Sequence, residues 1–200
     1  MKKLSVFVVL GAIALFGFMP SPVLEIGSSL PKGNIKMKDI TGKEVSIKDA
    51  EGKNGVLVMF SCNTCPYVIK NQARTNEIMS YALSQGVGVI ILNSNEAYRD
   101  KDDSFNDMKA YAKAQGYKWY YTLDKDHEIA DAFGATRTPE IFLFNKTEKL
   151  VYHGAIDDSP ADASAVKRHH AKEAIDEMLA GKDVSVKTSK SIGCSIKRKS

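Results

Sequence analysis

Residues Gly55 to Phe60 (GVLVMF) form an unbroken apolar run that passes, across one serine, into Cys62-Asn63-Thr64-Cys65-Pro66. A strand without polar alternation must be covered on both faces, so this run demands a layered fold with helices above and below a sheet. The residues after Pro66 read as a helix to about Gln85, with Cys65, Ile69, Ala73, Met79 and Leu83 expected along one face. A second apolar run, Val87 to Leu92, reads as another buried strand, followed by a polar loop from Asn93 to Asp103.

The flanking segments extend the same pattern. Ile35 to Asp49 alternates apolar and polar residues around Thr41-Gly42-Lys43 and reads as a hairpin. Helix signals cover Ser104 to Gln115, with Ser104 as the cap, and Asp126 to Phe133; a short strand, Lys118 to Leu123, lies between them. Gly134 to Pro139 leads into a strand, Glu140 to Asn145, with a partner strand from Leu150 to His153 and a last helix from Ala161 to Ala180. The order predicts an α/β fold with a central mixed β-sheet flanked by helices and an N-terminal β-hairpin extension. In such folds ligands bind beyond the carboxyl ends of the parallel strands. Both Cys62 and the Asn93–Asp103 loop leave such ends, so the loop is a candidate for partner selection, although charge-rich loops are ordinarily just solvated.

Composition narrows the class. A 44% apolar content over 200 residues suffices for one sizeable core, and 26% charged residues of both signs suit a soluble globule. The formal charge is +4, and Lys2 and Lys3 of the leader account for two of it. A balance that close to neutral gives no electrostatic case for binding nucleic acid. Met1-Lys2-Lys3, the apolar run Leu4 to Met19 and then Pro20-Ser21-Pro22 read as an export signal or a retained N-terminal membrane anchor over residues 1–22. The small-x-small cleavage pattern is not clean, and the run is short for a span. Export across a bacterial-type inner membrane follows, to the periplasm or the outer side of that membrane, a compartment where thiol redox state is managed. The remainder divides into a domain over 27–183 and a basic tail over 184–200. That tail carries Cys194 and the cations Lys187, Lys190, Lys197, Arg198 and Lys199, and is expected to be solvated.

Two cysteines three positions apart at a helix start bring their sulfurs within reach of a disulfide. Cys62 is expected to face outward, its thiolate favoured by the free N–H groups and dipole of the helix, with Cys65 tucked beneath. A thiolate at Cys62 attacks a partner's disulfide, and Cys65 resolves the mixed disulfide. Pro66 suits the first helical turn, where its missing N–H costs nothing. A zinc half-site needs a second pair, and Cys194 with His127, His153, His169 or His170 shows no matching spacing, so no metal is expected. A purely structural disulfide would close too small a loop to stabilise much. His170 reads as a packing histidine on the last helix.

FSCNTCPYV after a buried strand, with GATRTPEIFLF some seventy residues on, resembles the thioredoxin superfamily. More narrowly, the chain is similar to the exported redoxin (AhpC/TSA) thioredoxin-like proteins, over residues 27–196 including the NSNEAYRDKDDS loop and the terminal GCSIK. The resemblance implies Cys62 as nucleophile and Cys65 as resolving thiol. It also implies a cis Thr138–Pro139 bond whose backbone pairs with an incoming peptide beside the sulfurs. Asn63, Thr64 and Pro66 then tune the potential. The implied activity is thiol–disulfide exchange, as a reductase of exported disulfide-containing proteins or small thiols. A membrane electron donor would recharge the pair, and no cofactor is needed because the sulfurs carry the electrons.

Departures from the family matter. Six residues before the first cysteine, thioredoxin carries a buried acid; here that position is Val56. Glu140 is the candidate substitute proton acceptor, the alternative being a surface carboxylate on an edge strand. A thiol-dependent peroxidase of the AhpC/TSA type is a second reading, weakened because the positions of the peroxiredoxin Pro and Thr/Ser hold Gly55 and Met59, or Val58 and Cys62 in the other register. A redox-inert binding module is the third. Cys194 is the candidate accessory thiol, its alternative an idle one.

Overall fold

The computed structural model describes residues 22–199. Strand β3 (Gly55–Ser61) is buried along its whole length. It pairs in parallel with β4 (Gly88–Asn93), which pairs in parallel with β5 (Tyr120–Leu123). On its other side β3 meets β7 (Glu140–Asn145) antiparallel, and β7 meets β8 (Leu150–Gly154). The expected hairpin, β1 (Met37–Asp39) and β2 (Glu44–Val45), joins the far edge through β1 and β5, giving the order β2-β1-β5-β4-β3-β7-β8. The mixed sheet and its hairpin extension are therefore as read from the sequence.

Alternate side chains of the central strands feed two cores. Val56, Val58, Phe60, Ile90, Leu92, Phe142 and Phe144 pack against α1 (Ile47–Ala50) and α4 (Glu128–Phe133). Leu57, Met59, Val89, Ile91, Ile141 and Leu143 pack under α2 (Pro66–Ser84), α3 (Phe105–Gln115) and α5 (His170–Leu179). Phe133 contacts Phe60, Phe142 and Phe144 edge-on, with ring centroids 5.4, 5.1 and 5.7 Å away. Each such buried side chain stabilises the fold by about 1.5–3 kcal/mol. No helix among the described residues is long and apolar enough to cross a membrane; the leader, apart from Pro22, lies outside the described residues.

Several local expectations are corrected. The alternation up to Asp49 is not all strand: Ser46 and Asp49 form a capping box that starts α1. The inner face of α2 is not the apolar one expected, since Ile69 and Leu83 are 56% and 43% exposed and Ala73 is exposed too. The buried stripe carries Val68, Asn71, Gln72, Arg74, Thr75, Ile78, Met79 and Ala82. Its polar members find partners elsewhere in the fold: Asn71 donates to the Pro160 carbonyl, Tyr111 donates to Gln72, and Arg74 pairs with buried Asp157 at 2.6 Å. The last helix starts at His170 rather than Ala161, because Asp158 and Asp162 accept from the backbone N–H groups of Lys167 and Ser164 and hold turns instead. The C-terminal tail is not a solvated terminus. Val184 is buried, Ser189 hydrogen-bonds the Ala155 N–H and His153 carbonyl, and β9 (Cys194–Ser195) pairs antiparallel with β6 (Arg137–Thr138).

Candidate active site

Strand β3 delivers Cys62 to the carboxyl rim, and Cys65 is the N-cap residue of α2, with Pro66 in its first turn. All three cysteines are free thiols. Cys62 does not face outward: it is 3% exposed and Cys65 4%, both in a small cluster with Val68, Tyr67, Tyr111 and Cys194. The chain covers its own first sulfur with neighbours distant in sequence, which spacing alone does not reveal.

The Thr138–Pro139 bond is cis, as the resemblance implied. Thr138 addresses both sulfurs, its hydroxyl 3.3 Å from Cys62 Sγ and its carbonyl oxygen 3.3 Å from Cys65 Sγ. The hydroxyl beside Cys62 thus comes from this loop and not from the strand positions preceding the cysteine.

The two thiols set each other's ionisation. The neighbouring Cys62 thiol, with Cys194 and the Val68 N–H adding to the effect, holds the Cys65 thiol below its usual value. Cys62 is pushed up by the neighbouring Cys65, by burial and by the charge of Asp103. The two sulfurs therefore titrate as one coupled pair at the start of the helix.

A polar floor, missed in the sequence, lies below the pair. The buried Asp103 carboxylate accepts from the Asn63 N–H at 2.9 Å and from the side-chain amides of Asn93 and Asn95, both at 2.8 Å. The Tyr121 hydroxyl donates to Asn63 Oδ1 at 2.8 Å, and Asn63 Nδ2 donates to the Asp102 carbonyl. The Asn93–Asp103 loop is accordingly no simple solvated loop. Asn93, the polar residue ending a buried strand at the rim, was the one available signal. Thr64 and Pro66 are exposed.

Glu140 is buried, on a strand interior to the sheet, so the edge-strand alternative is wrong. Burial raises its carboxyl above the usual value, while the Thr136 and Arg137 N–H groups at 2.9 and 3.2 Å pull the other way. Its hydrogen bonds go to the loop before Pro139 and to neither sulfur. Val56 is wholly buried among apolar side chains. His170 is half-buried at the start of α5, a packing position as expected.

The Redoxin family model matches residues 25–169 of this chain. The chain belongs to the Redoxin family. The thiol-disulfide oxidoreductase ResA of Bacillus thuringiensis subsp. konkukian is 27% identical over 162 residues, 81% of each chain. An uncharacterized conserved protein of Geobacillus kaustophilus, known from its crystal structure, is 32% identical with a TM-score of 0.81, covering 95% of this chain and 98% of that one. The thioredoxin domain of a thiol-disulfide oxidoreductase from Bacteroides vulgatus shares the fold, with a TM-score of 0.56 at 21% identity over 69% of this chain and 93% of that one. The Redoxin chain thus has the thioredoxin-like α/β architecture that its strand order and cis-proline loop indicated.

Proposed function

We propose that this protein is a thiol–disulfide oxidoreductase whose Cys62 and Cys65 alternate between dithiol and disulfide. It works as a reductase of exported disulfide-containing proteins or small thiols. The observation that carries the reading is the placing of Cys62 and Cys65 together at the start of α2, with Thr138 of the cis-proline loop against both sulfurs. The relatives named thiol-disulfide oxidoreductase agree with it.

The chemistry follows from that arrangement. Cys62 gives up its proton to solvent and becomes the nucleophile. Its thiolate attacks one sulfur of a partner disulfide, forming a mixed disulfide and releasing the other sulfur as a thiolate. Cys65 then passes its proton to the released partner thiolate and attacks Cys62, closing the 62–65 disulfide and releasing the partner's second thiolate, which takes up the proton that Cys62 gave to solvent. Two electrons pass to the partner, so no cofactor is required. Thr138 and Pro139 position the partner, and Asn63, fixed by the floor, together with Thr64 and Pro66, tunes the couple. Glu140 acts as a support for the cis-proline loop.

The oxidised pair is recharged by a membrane electron donor on the outer side of the inner membrane. Residues 1–22 serve as a signal peptide or anchor ahead of the domain over 27–183. The test is disulfide turnover with a thiol donor: Cys62→Ser loses it, and turnover retained in that variant contradicts the nucleophile.

A further inference from the structure

Residues 193–198 cross the cysteine pair as a strap. Strand β9 pairs with β6 in the register Thr138↔Cys194, opposite the residue that addresses both thiols. The Ile196 N–H donates to the Thr136 carbonyl at 3.0 Å, and the Ile196 side chain is buried. The Lys197 N–H donates to Asn95 Oδ1 at 2.9 Å, and its carbonyl accepts from the Ala97 N–H at 2.9 Å. Arg198 closes the end on Asp131 at 2.8 Å and the Ala135 carbonyl at 2.7 Å. A Cβ at Gly193 would stand 2.0 Å from the Thr138 carbonyl oxygen, so only glycine lets the strap lie this close.

The strap brings Cys194 Sγ to 2.7 Å from Cys65 Sγ. That separation is inside van der Waals contact and not far beyond the roughly 2.05 Å of a disulfide bond. An extended peptide adding to an exposed strand edge pairs through its backbone, and here the edge at Thr138 is already taken by the chain's own tail.

We propose that Cys194 is an internal exchange partner of the cysteine pair, held by the strap in the place of a partner's cysteine. The proposal rests on the reading of Cys62 and Cys65 as a dithiol/disulfide couple. With that couple oxidised, Cys194 loses its proton and attacks Cys65 Sγ. The Cys65–Cys194 bond forms as Cys62–Cys65 breaks, and Cys62 leaves as a thiolate that takes up the proton. One disulfide is exchanged for another, with no external oxidant or reductant consumed. The protein then has two oxidised forms: one with the strap free to yield its edge to a partner, the other with the strap locked over it and Cys62 a free thiol.

The experiment is oxidation of the purified full chain by oxidised glutathione, followed by non-reducing peptide mapping. In Cys62→Ser the expected product is a peptide pair linking Cys65 to Cys194. In Gly193→Val, which keeps all three cysteines but drives a side chain into Thr138, the expected result is loss of the 65–194 link with the 62–65 disulfide retained. If Cys62→Ser yields only separate glutathione adducts or free thiols while Cys194→Ser still forms the 62–65 disulfide, this proposal fails and the couple stands. If Cys194→Ser forms no 62–65 disulfide, the couple fails and the proposal with it. An undiminished 65–194 link in Gly193→Val overturns the placement by the strap.

Discussion

Below the cysteine pair lies a floor of buried polar groups whose hydrogen bonds are made by side chains of the Asn93–Asp103 loop. Above it lies the strap, joined to the domain by a two-residue ladder, one buried isoleucine and hydrogen bonds at Lys197 and Arg198. The floor has little freedom, because each donor that turned away from Asp103 would be left buried and unpaired. The strap gives up far less when it lifts, since its backbone groups regain water. The difference separates two tasks: the floor fixes where Asn63 and the sulfurs stand, and the roof governs what reaches them.

The largest effect is expected from removing the floor's centre. Asp103→Ala leaves the Asn63 N–H and the Asn93 and Asn95 amides without their acceptor. It should cost about 3 kcal/mol of stability in urea unfolding, a few unsatisfied buried donors at 1–3 kcal/mol each with partial relaxation. The same change removes a negative charge that raises the Cys62 thiol, so the Cys62 ionisation, followed by thiolate absorbance, should move to lower pH. An unaltered thiol titration would mean that the floor does not reach the sulfurs.

Loosening the roof should cost less. Ile196→Ala removes one buried aliphatic anchor and is expected to destabilise by about 2 kcal/mol, the low end for a core truncation. Its sharper signature is kinetic: Cys62 and Cys65 should alkylate faster than in the parent chain while the sheet stays folded by circular dichroism. Faster alkylation in Asp103→Ala than in Ile196→Ala, at conditions where both are folded, would invert the assignment of floor and roof.

Glu140→Gln should have the smallest effect, within about 1 kcal/mol, and one that varies with pH. Burial raises the Glu140 carboxyl, so the folded state prefers it protonated. The cost of burying its charge is full above the folded value and vanishes below the unfolded one, near pH 4.3. Glutamine carries no such cost, so the variant's stability relative to the parent should rise between about pH 4 and neutrality. A relative stability that falls over that interval in urea titrations would mean that the Thr136 and Arg137 bonds outweigh the burial.

The sheet was legible because β3, β4 and β7 each hold an unbroken apolar run with polar residues only at the strand ends, and such a run flanked by turn residues has few other uses. The cysteine pair and Thr138-Pro139 were legible as a spacing with a resemblance behind it. The floor was not. Asn93 and Asp103 have the composition of a solvated loop, and only their partners, Asn63 and Tyr121 from other elements, make them interior. The same holds for α2, whose buried Asn71, Gln72 and Arg74 read as an outer face until Pro160, Tyr111 and Asp157 supply their bonds. The strap was read as part of a basic, solvated end because the tail gathers Lys187, Lys190, Lys197, Arg198 and Lys199 without an acidic residue among them. Gly193 and Ile196, the two residues that seat it, act through contacts with the loop before Pro139 that no local pattern announces.

The central claim is that Cys62 and Cys65 form a reversible couple used for reduction. Its most direct measurement is the equilibrium of the 62–65 disulfide in defined thiol–disulfide buffers, read by alkylation and mass shift. The account predicts a reversible disulfide with a potential near about −270 mV, the range of a thioredoxin-type reductant. A potential nearer about −120 mV would contradict the reductive direction, and the absence of any reversible 62–65 disulfide would contradict the couple itself.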